Sequence, residues 1–179
     1  MPPRPFLPAG LLVLVSACGA TSTSTSTEPT HPPEPRDAAL RERLFAAVSG
    51  LEGTWEMPGP EGPSVIEFRV TSNGSAVREV MFPGTPMEMT NMYTLDGNSL
   101  RMTHYCAGGN QPHMRATALV DGRLEFVTDG VSDLESPDAL HMADMTLVLV
   151  DENHIEQHWR AVKGEEVDHM PVFELERVR

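Results

Sequence analysis

Chemically versatile side chains are concentrated in residues 103–114, which read Thr-His-Tyr-Cys-Ala-Gly-Gly-Asn-Gln-Pro-His-Met. Imidazole and thiolate groups bind zinc or copper, and imidazole exchanges protons near neutral pH. The chain has two cysteines, Cys18 and Cys106, and only Cys106 lies in the part expected to fold. It is either a buried small side chain or a reactive or ligating thiol. If the protein has a site, this segment is its expected location.

The residues around this segment alternate between apolar and polar, which is typical of a β-strand. His104 and Cys106 then share one face, and residues 107–112 form a turn into a second strand. If Cys106 lies opposite His113, His104 faces Arg115, and the four side chains share one face at contact distance. A shift of one residue in this register would separate them.

The same period of two continues through the chain from residue 51, with turn dipeptides such as Asn73-Gly74 and Asp121-Gly122 between segments. The predicted strands are 51–57, 64–71, 76–82, 87–95, 100–106, 113–120, 124–128, 141–150, 154–162 and 167–176. Residues 129–140 form the longest break. A meander of this length would expose two edges, and closure removes them. We therefore predict an all-β fold, an up-and-down antiparallel β-barrel of about nine to ten strands.

One short helix is predicted before the strands. Asp37 is a helix-capping residue, residues 38–48 place Leu40 and Leu44 on one stripe, and Gly50 follows the expected end. The folded domain is therefore expected to span residues 37–179.

The first strand begins with Gly53-Thr54-Trp55, which resembles the Gly-x-Trp signature of lipocalins and related calycin barrels. In that family a short helix precedes the signature, as residues 38–48 do here. The resemblance covers about residues 38–179 and suggests a divergent bacterial relative. It implies that Trp55 closes the base of the barrel beneath an apolar ligand cavity.

Within such a barrel we predict that the face of residues 100–106 that carries His104 points inward, with an apolar floor and polar groups near the mouth. Arg115 could then bind a carboxylate of a small, largely apolar ligand. The predicted ligand-binding residues are Tyr93, Met102, His104, Cys106, His113 and Arg115. The alternative is an interaction module whose core is filled by side chains.

A metal site is a second alternative, with His104, Cys106 and His113 as three ligands. A haem-binding calycin similar to nitrobindins would instead need one accessible histidine, for which His104, His113, His141 and His169 are candidates. The sequence identifies no cofactor. It contains no glycine-rich phosphate loop, nucleophile elbow or paired metalloprotease histidines, so we expect binding rather than catalysis.

The N-terminal sequence predicts that the protein is located in the bacterial cell envelope. Residues 1–17 have the basic start and apolar run of a signal peptide, too short to span a membrane. Val15-Ser16-Ala17-Cys18 resembles the lipobox of bacterial lipoproteins, which implies lipidation of Cys18. Gly19 follows, where such lipoproteins often carry the aspartate that retains them at the inner membrane, so the resemblance implies outer-membrane anchoring, facing the periplasm or the exterior.

Residues 18–36 are rich in serine, threonine and proline and are predicted to be a disordered tether. The chain has 26 acidic and 13 basic residues, a net charge of -13. This charge repels nucleic acids and anionic lipids. We therefore expect no nucleic-acid partner, and contact with a membrane only through the lipid on Cys18.

Overall fold

The computed structural model describes residues 35–59 and 62–178, and their regular structure is one α-helix and twelve strands. These are α1 (Ala38–Ser49), β1 (Gly53–Met57), β2 (Ser64–Thr71), β3 (Ala76–Met81), β4 (Met89–Asp96), β5 (Ser99–Tyr105), β6 (Gln111–Ala116), β7 (Leu119–Val120), β8 (Arg123–Ser132), β9 (His141–Leu149), β10 (His154–Lys163), β11 (Glu166–His169) and β12 (Val172–Arg177). The predicted signal peptide, the lipidation site at Cys18 and nearly all of the tether lie outside the described residues.

Ten of the strands close into an antiparallel barrel. Their order is β1-β2-β3-β4-β5-β6-β8-β9-β10-β12, and β12 pairs with β1 through Trp55 and Arg177. The short strands β7 and β11 pair antiparallel with β8 and β10. Closure pairs the edges of the meander, which an open sheet would leave exposed. The prediction of an all-β barrel preceded by one helix is confirmed.

Seven predicted strands end within two residues of the observed limits, and three differ more. The strand expected over 113–120 is divided into β6 and β7, and the one expected over 167–176 is divided into β11 and β12. Pro171, which separates β11 from β12, has no N–H for a ladder, but its carbonyl accepts a hydrogen bond from the Trp159 N–H at 3.0 Å. β8 continues to Ser132, so the break before β9 covers residues 133–140.

Alternate residues of the strands fill the barrel with large side chains. Trp55, Ile66, Phe126 and Leu147 are among those that are fully buried. Four methionines, Met81, Met102, Met114 and Met145, are each at most 1% exposed. Methionine has an unbranched, flexible side chain, so this part of the core can change shape more readily than a core of branched residues.

The helix lies at one end of the barrel. The Asp37 carboxylate accepts a hydrogen bond from the Leu40 N–H at 3.0 Å, which confirms the predicted cap. Leu44 and Val48 are fully buried. The Asp37 N–H donates to Asn98 Oδ1 at 2.8 Å and thereby fixes the helix to the turn between β4 and β5. In the described residues, no helix is both long enough and apolar enough to cross a membrane.

The Gly-x-Trp segment is held at the helix end by Arg177. The Arg177 guanidinium carbon lies 4.3 Å from the centroid of the Trp55 ring. The same group donates to the carbonyl oxygens of Gly50 at 3.0 Å and Glu52 at 2.9 Å. Gly53 has a φ of +138°, and a Cβ there would lie 3.2 Å from Arg177 Nη1. Glycine is therefore required by both the backbone conformation and the closeness of the arginine.

We expect Arg177→Ala to lower the free energy of unfolding by about 2 kcal/mol, because it removes a cation–π contact and three hydrogen bonds to carbonyl oxygens, the third from Nε to Glu152. Arg177→Lys should recover less than half of this loss, since an ammonium cannot reproduce the planar donor geometry. Urea unfolding followed by tryptophan fluorescence measures both. Arg69→Ala, on the exposed face of β2, is the control and should change stability by at most about 0.5 kcal/mol. Equal stability of the alanine and lysine variants would contradict a role for the guanidinium.

Candidate functional site

A group of polar side chains lies inside the barrel, where an apolar core would be expected. We call it the interior polar cluster and define it as Glu79, Asn91, Tyr93, His104 and Gln157, each at most 1% exposed. Glu79 pairs with Asn91 across β3 and β4, and Asn91 pairs with His104 across β4 and β5. The three side chains therefore form a row across adjacent strands. Polar groups buried this completely need hydrogen-bond partners.

The Glu79 carboxylate is the centre of the cluster. Its Oε2 accepts hydrogen bonds from Asn91 Nδ2 at 2.8 Å and from the Tyr93 hydroxyl at 2.6 Å. Its Oε1 accepts from Gln157 Nε2 at 2.8 Å. Gln157 is on β10, which three strands (β12, β1 and β2) separate from β3 around the barrel, so this last bond crosses the interior.

Burial and hydrogen bonding act in opposite directions on the acidity of Glu79. Burial raises the pKa of the carboxyl group, and the hydrogen bonds from Asn91, Tyr93 and Gln157 lower it, with burial the larger effect. Burial and the adjacent Glu79 carboxylate also raise the pKa of Tyr93 well above its usual value. Tyr93 therefore keeps its proton and acts as a donor to Glu79.

The hydrogen bonds of the cluster form two series that end at Glu79, and in each bond the donor is the residue farther from Glu79. The Asn91 amide nitrogen faces the carboxylate, so its oxygen is left to accept from His104 Nδ1 at 2.6 Å. Gln157 is oriented in the same way, and its oxygen accepts from Trp159 Nε1 at 3.2 Å. The Glu79 oxygens accept from both amide nitrogens, which leaves each amide oxygen to accept from another donor. The proton of His104 is consequently on Nδ1.

The other ring nitrogen of His104 has no partner. Nε2 is buried and makes no hydrogen bond to any part of the chain that the structure describes. Burial lowers the pKa of His104 to about 4, so the ring is neutral at physiological pH. The ring centroids of His104 and Trp159 are 4.9 Å apart. The site therefore presents a lone pair on a fixed neutral imidazole, beside an aromatic ring.

The predicted site residues on β4 and β5 lie inside the barrel, and those on β6 lie on its outer face. Tyr93, Met102 and His104 point inward and are fully buried. Cys106 is half-buried, just past the end of β5.

His113 and Arg115 lie on the outer face of the barrel, not inside as predicted. Thr103 pairs with His113, and Arg101 pairs with Arg115. The expected partner of His113 was Cys106, and the shift of three residues, an odd number, exchanges the two faces. The cause is a shorter turn: the Cys106 N–H donates to the Asn110 carbonyl at 3.2 Å, so residues 111 and 112 belong to β6.

Both misplaced side chains have partners on the outer surface. The His113 ring nitrogens contact Thr103 Oγ1 at 3.1 Å and Ser132 Oγ at 2.7 Å. Arg115 forms ion pairs with Asp96 and Asp129, at 2.9 and 3.2 Å. The Arg115 contacts lower the pKa of Asp96. Neither residue is placed to contact a molecule inside the barrel.

The predicted three-ligand metal set is not brought together. His104 and His113 point to opposite faces of the sheet. In residues 35–59 and 62–178, no group of three or more histidine, cysteine or acidic side chains is arranged to hold a metal ion. His104 remains as one nitrogen that could bind a metal already held by a cofactor.

Sequence reasoning missed three members of the interior polar cluster, Glu79, Asn91 and Gln157, and also the adjacent Trp159. The signal for Glu79 was its position between two apolar residues of the same strand face. Val77, Glu79 and Met81 alternate along β3 and all point inward, so Glu79 occupies a position where an apolar residue is expected. Gln157 and Trp159 likewise alternate with the outward-facing His158. A polar residue in the apolar phase of a strand indicates a buried polar contact.

The recesses on the barrel are open grooves outside it. One of about 610 Å³ is lined by residues of β6, β7 and β8, including Val120, Val127 and Arg115. Another, of about 400 Å³, lies beside Glu52, Glu67 and Arg78. Neither groove includes a residue of the interior polar cluster, so a molecule that reached His104 would have to displace interior side chains.

Comparison with known proteins identifies a fold but no family. No family model matches the chain, and no curated protein matches it. Among solved structures the chain is similar to the crystal structure of Rv2717c from M. tuberculosis, with 13% sequence identity and a TM-score of 0.52. The match covers 81% of this chain and 100% of that chain. At this identity the likeness shows a common β-barrel architecture and nothing about activity.

Proposed function

We propose that this chain is a lipid-anchored protein of the bacterial cell envelope whose barrel binds a small, largely apolar ligand beside His104. The observation that carries the proposal is the buried, unpartnered Nε2 of that histidine. An unsatisfied polar atom in a core costs on the order of 1–3 kcal/mol, so such atoms are rare unless something else satisfies them. A ligand that donates a hydrogen bond to Nε2 would remove this cost.

The surroundings of His104 suit an apolar molecule. The Trp159 ring is adjacent, and the four buried methionines can move to make room because their side chains are flexible. The helix covers one end of the barrel, which leaves the other end for access. Met89, on the inward face of β4, and Cys106 are half-buried beyond Asn91 and His104 toward that end. They would move first as a ligand came in.

The envelope location is proposed from the sequence. The lipobox-like Val15-Ser16-Ala17-Cys18 and the serine- and proline-rich segment after it would place the barrel on a flexible tether at a membrane surface. An apolar ligand has low solubility in water, so a binding protein anchored in the envelope would have a clear use. Whether Cys18 is lipidated can be tested by metabolic labelling with a fatty acid, which Cys18→Ser should abolish.

Native mass spectrometry tests the binding proposal directly. The full-length chain, carrying Cys18→Ser to prevent lipidation, is purified without chelator and examined for additional mass. We expect a small organic molecule that is released on unfolding, and we expect His104→Phe to lower its affinity about five- to tenfold, the contribution of one hydrogen bond. His158→Phe, on the outer face of β10, is the matched control and should retain the molecule.

Each other outcome supports a different function. A haem or metal mass that is absent from His104→Phe would favour the cofactor alternative, in which Nε2 is the protein ligand. No additional mass, together with failure to bind added apolar molecules, would contradict the proposal and favour an interaction module with a filled core.

A further inference from the structure

We propose that the ligand of this barrel presents a hydrogen-bond donor, an alcohol, phenol or N–H group, to His104 Nε2, and that ionised acids are excluded. This inference rests on the proposed function and specifies the chemical class of the ligand. It differs from the expectation based on sequence, in which Arg115 bound a carboxylate. Arg115 lies on the outer face and is engaged by Asp96 and Asp129.

The direction of the hydrogen bonds excludes an acceptor at His104. Glu79 orients Asn91, Asn91 accepts from Nδ1, and Nε2 is left with a lone pair. For Nε2 to become a donor, the ring would have to shift its proton and leave the Asn91 oxygen facing a second lone pair. Two acceptors in contact inside a core are unfavourable. The ligand atom next to Nε2 must therefore carry hydrogen.

The described interior has no cationic side chain that could pair with an anion. Among the buried polar residues in the described ranges, Glu79 is the one carboxylate, and no lysine or arginine is buried. The partners of Glu79 are Asn91, Tyr93 and Gln157, all neutral. An ionised carboxylate beside His104 would be buried without a lysine or arginine of the described core to pair with it. Fatty acids are therefore poor ligands, although their chains would suit the interior.

The alternative, that His104 becomes charged and pairs with an acid, is also unfavourable. The ring is fully buried and lies against Trp159 rather than beside an acidic side chain. Burial keeps its pKa at about 4. At neutral pH the imidazole therefore acts only as an acceptor at Nε2. An apolar molecule with a terminal hydroxyl or N–H group matches both the nitrogen and its surroundings.

A matched set of probes with the same hydrocarbon chain tests the inference. Decanol, its methyl ether and decanoate are titrated separately into the full-length Cys18→Ser chain at neutral pH, with calorimetry and tryptophan fluorescence as readouts. We expect decanol to bind about five- to tenfold more tightly than the ether, and decanoate to bind no better than the ether. Decanoate binding as tightly as decanol would overturn the inference while leaving the proposed function intact. Binding of none of the three would contradict the proposed function and, with it, the inference.

Two variants and one spectrum identify the atoms responsible for the preference for decanol over the ether. In His104→Phe the preference for decanol over the ether should disappear while the ether still binds, and His158→Phe should behave as the unmodified chain. Long-range ¹H–¹⁵N spectra of the unmodified chain should show His104 protonated on Nδ1, with the Nε2 resonance shifting on addition of decanol. Protonation on Nε2 would overturn the inference even if the variants failed to fold.

Discussion

Replacement of Glu79 by alanine is expected to lower the free energy of unfolding by about 4 kcal/mol, the largest effect that we predict for one residue. The substitution leaves Asn91 Nδ2, the Tyr93 hydroxyl and Gln157 Nε2 without an acceptor in the core. Each unsatisfied donor costs on the order of 1–3 kcal/mol. Part of this cost is offset, because the native protein no longer has to bury a carboxylate whose pKa is raised by desolvation. Urea unfolding monitored by tryptophan fluorescence measures the difference.

Two further variants separate charge from hydrogen bonding at this position. Glu67→Ala removes an exposed carboxylate from the adjacent strand β2 and should cost at most about 0.5 kcal/mol. Glu79→Gln keeps the size of the side chain but supplies one acceptor oxygen instead of two, so its cost should lie between those of the two alanine variants. If Glu79→Ala were as stable as Glu67→Ala, the hydrogen bonds to Glu79 could not be what holds the cluster together.

The architecture could be predicted from sequence because its signals are local. The cap at Asp37, the turn at Asn73-Gly74 and the alternation within each strand depend on residues a few positions apart, and all three are observed. Closure then followed from the physical cost of two unpaired edges. Strand limits were less accurate, since the end of a strand depends on partners elsewhere, as at Pro171.

The site could be predicted only in part because its signals are long-range. His104 is buried with Asn91, as alternation predicts. His113 was assigned to the wrong face because the sequence does not state how many residues the Cys106–Asn110 turn uses. Gln157 lies 78 positions from Glu79, and their hydrogen bond depends on barrel closure. No local pattern relates two such residues, although each occupies an inward-facing position of its strand where an apolar residue is expected.

Acidification from pH 6.5 to 4 should destabilise the protein through His104 by about 3 kcal/mol, the second of the two largest effects. Burial lowers the pKa of the native imidazole to about 4, whereas an unfolded histidine titrates near 6.5. Between these values the unfolded chain binds a proton that the native protein does not. The free energy of unfolding therefore decreases as the pH falls through this range, and the contribution is fully present above it.

Glu79 contributes with the opposite sign and cannot cause this loss. Burial raises its native pKa above the usual value of 4.5, so the native protein binds the proton more readily than the unfolded chain. Its contribution to stability therefore decreases as the pH rises from that value through the native pKa. Asp96 has a lowered pKa and loses its contribution at lower pH, below its usual value of 3.8. Between pH 6.5 and 4, His104 therefore dominates the decrease in the free energy of unfolding.

His104→Gln isolates the histidine because the glutamine amide can still donate to Asn91 Oδ1 but does not titrate. We expect the free energy of unfolding of the unmodified chain to fall relative to that of the variant by about 3 kcal/mol between pH 6.5 and 4. Urea titrations at several pH values give both curves, and His158→Gln on the outer face is the control. Parallel curves for the unmodified and His104→Gln chains would mean that the ring is charged or hydrated in the native protein. The neutral acceptor on which ligand selection depends would then not exist.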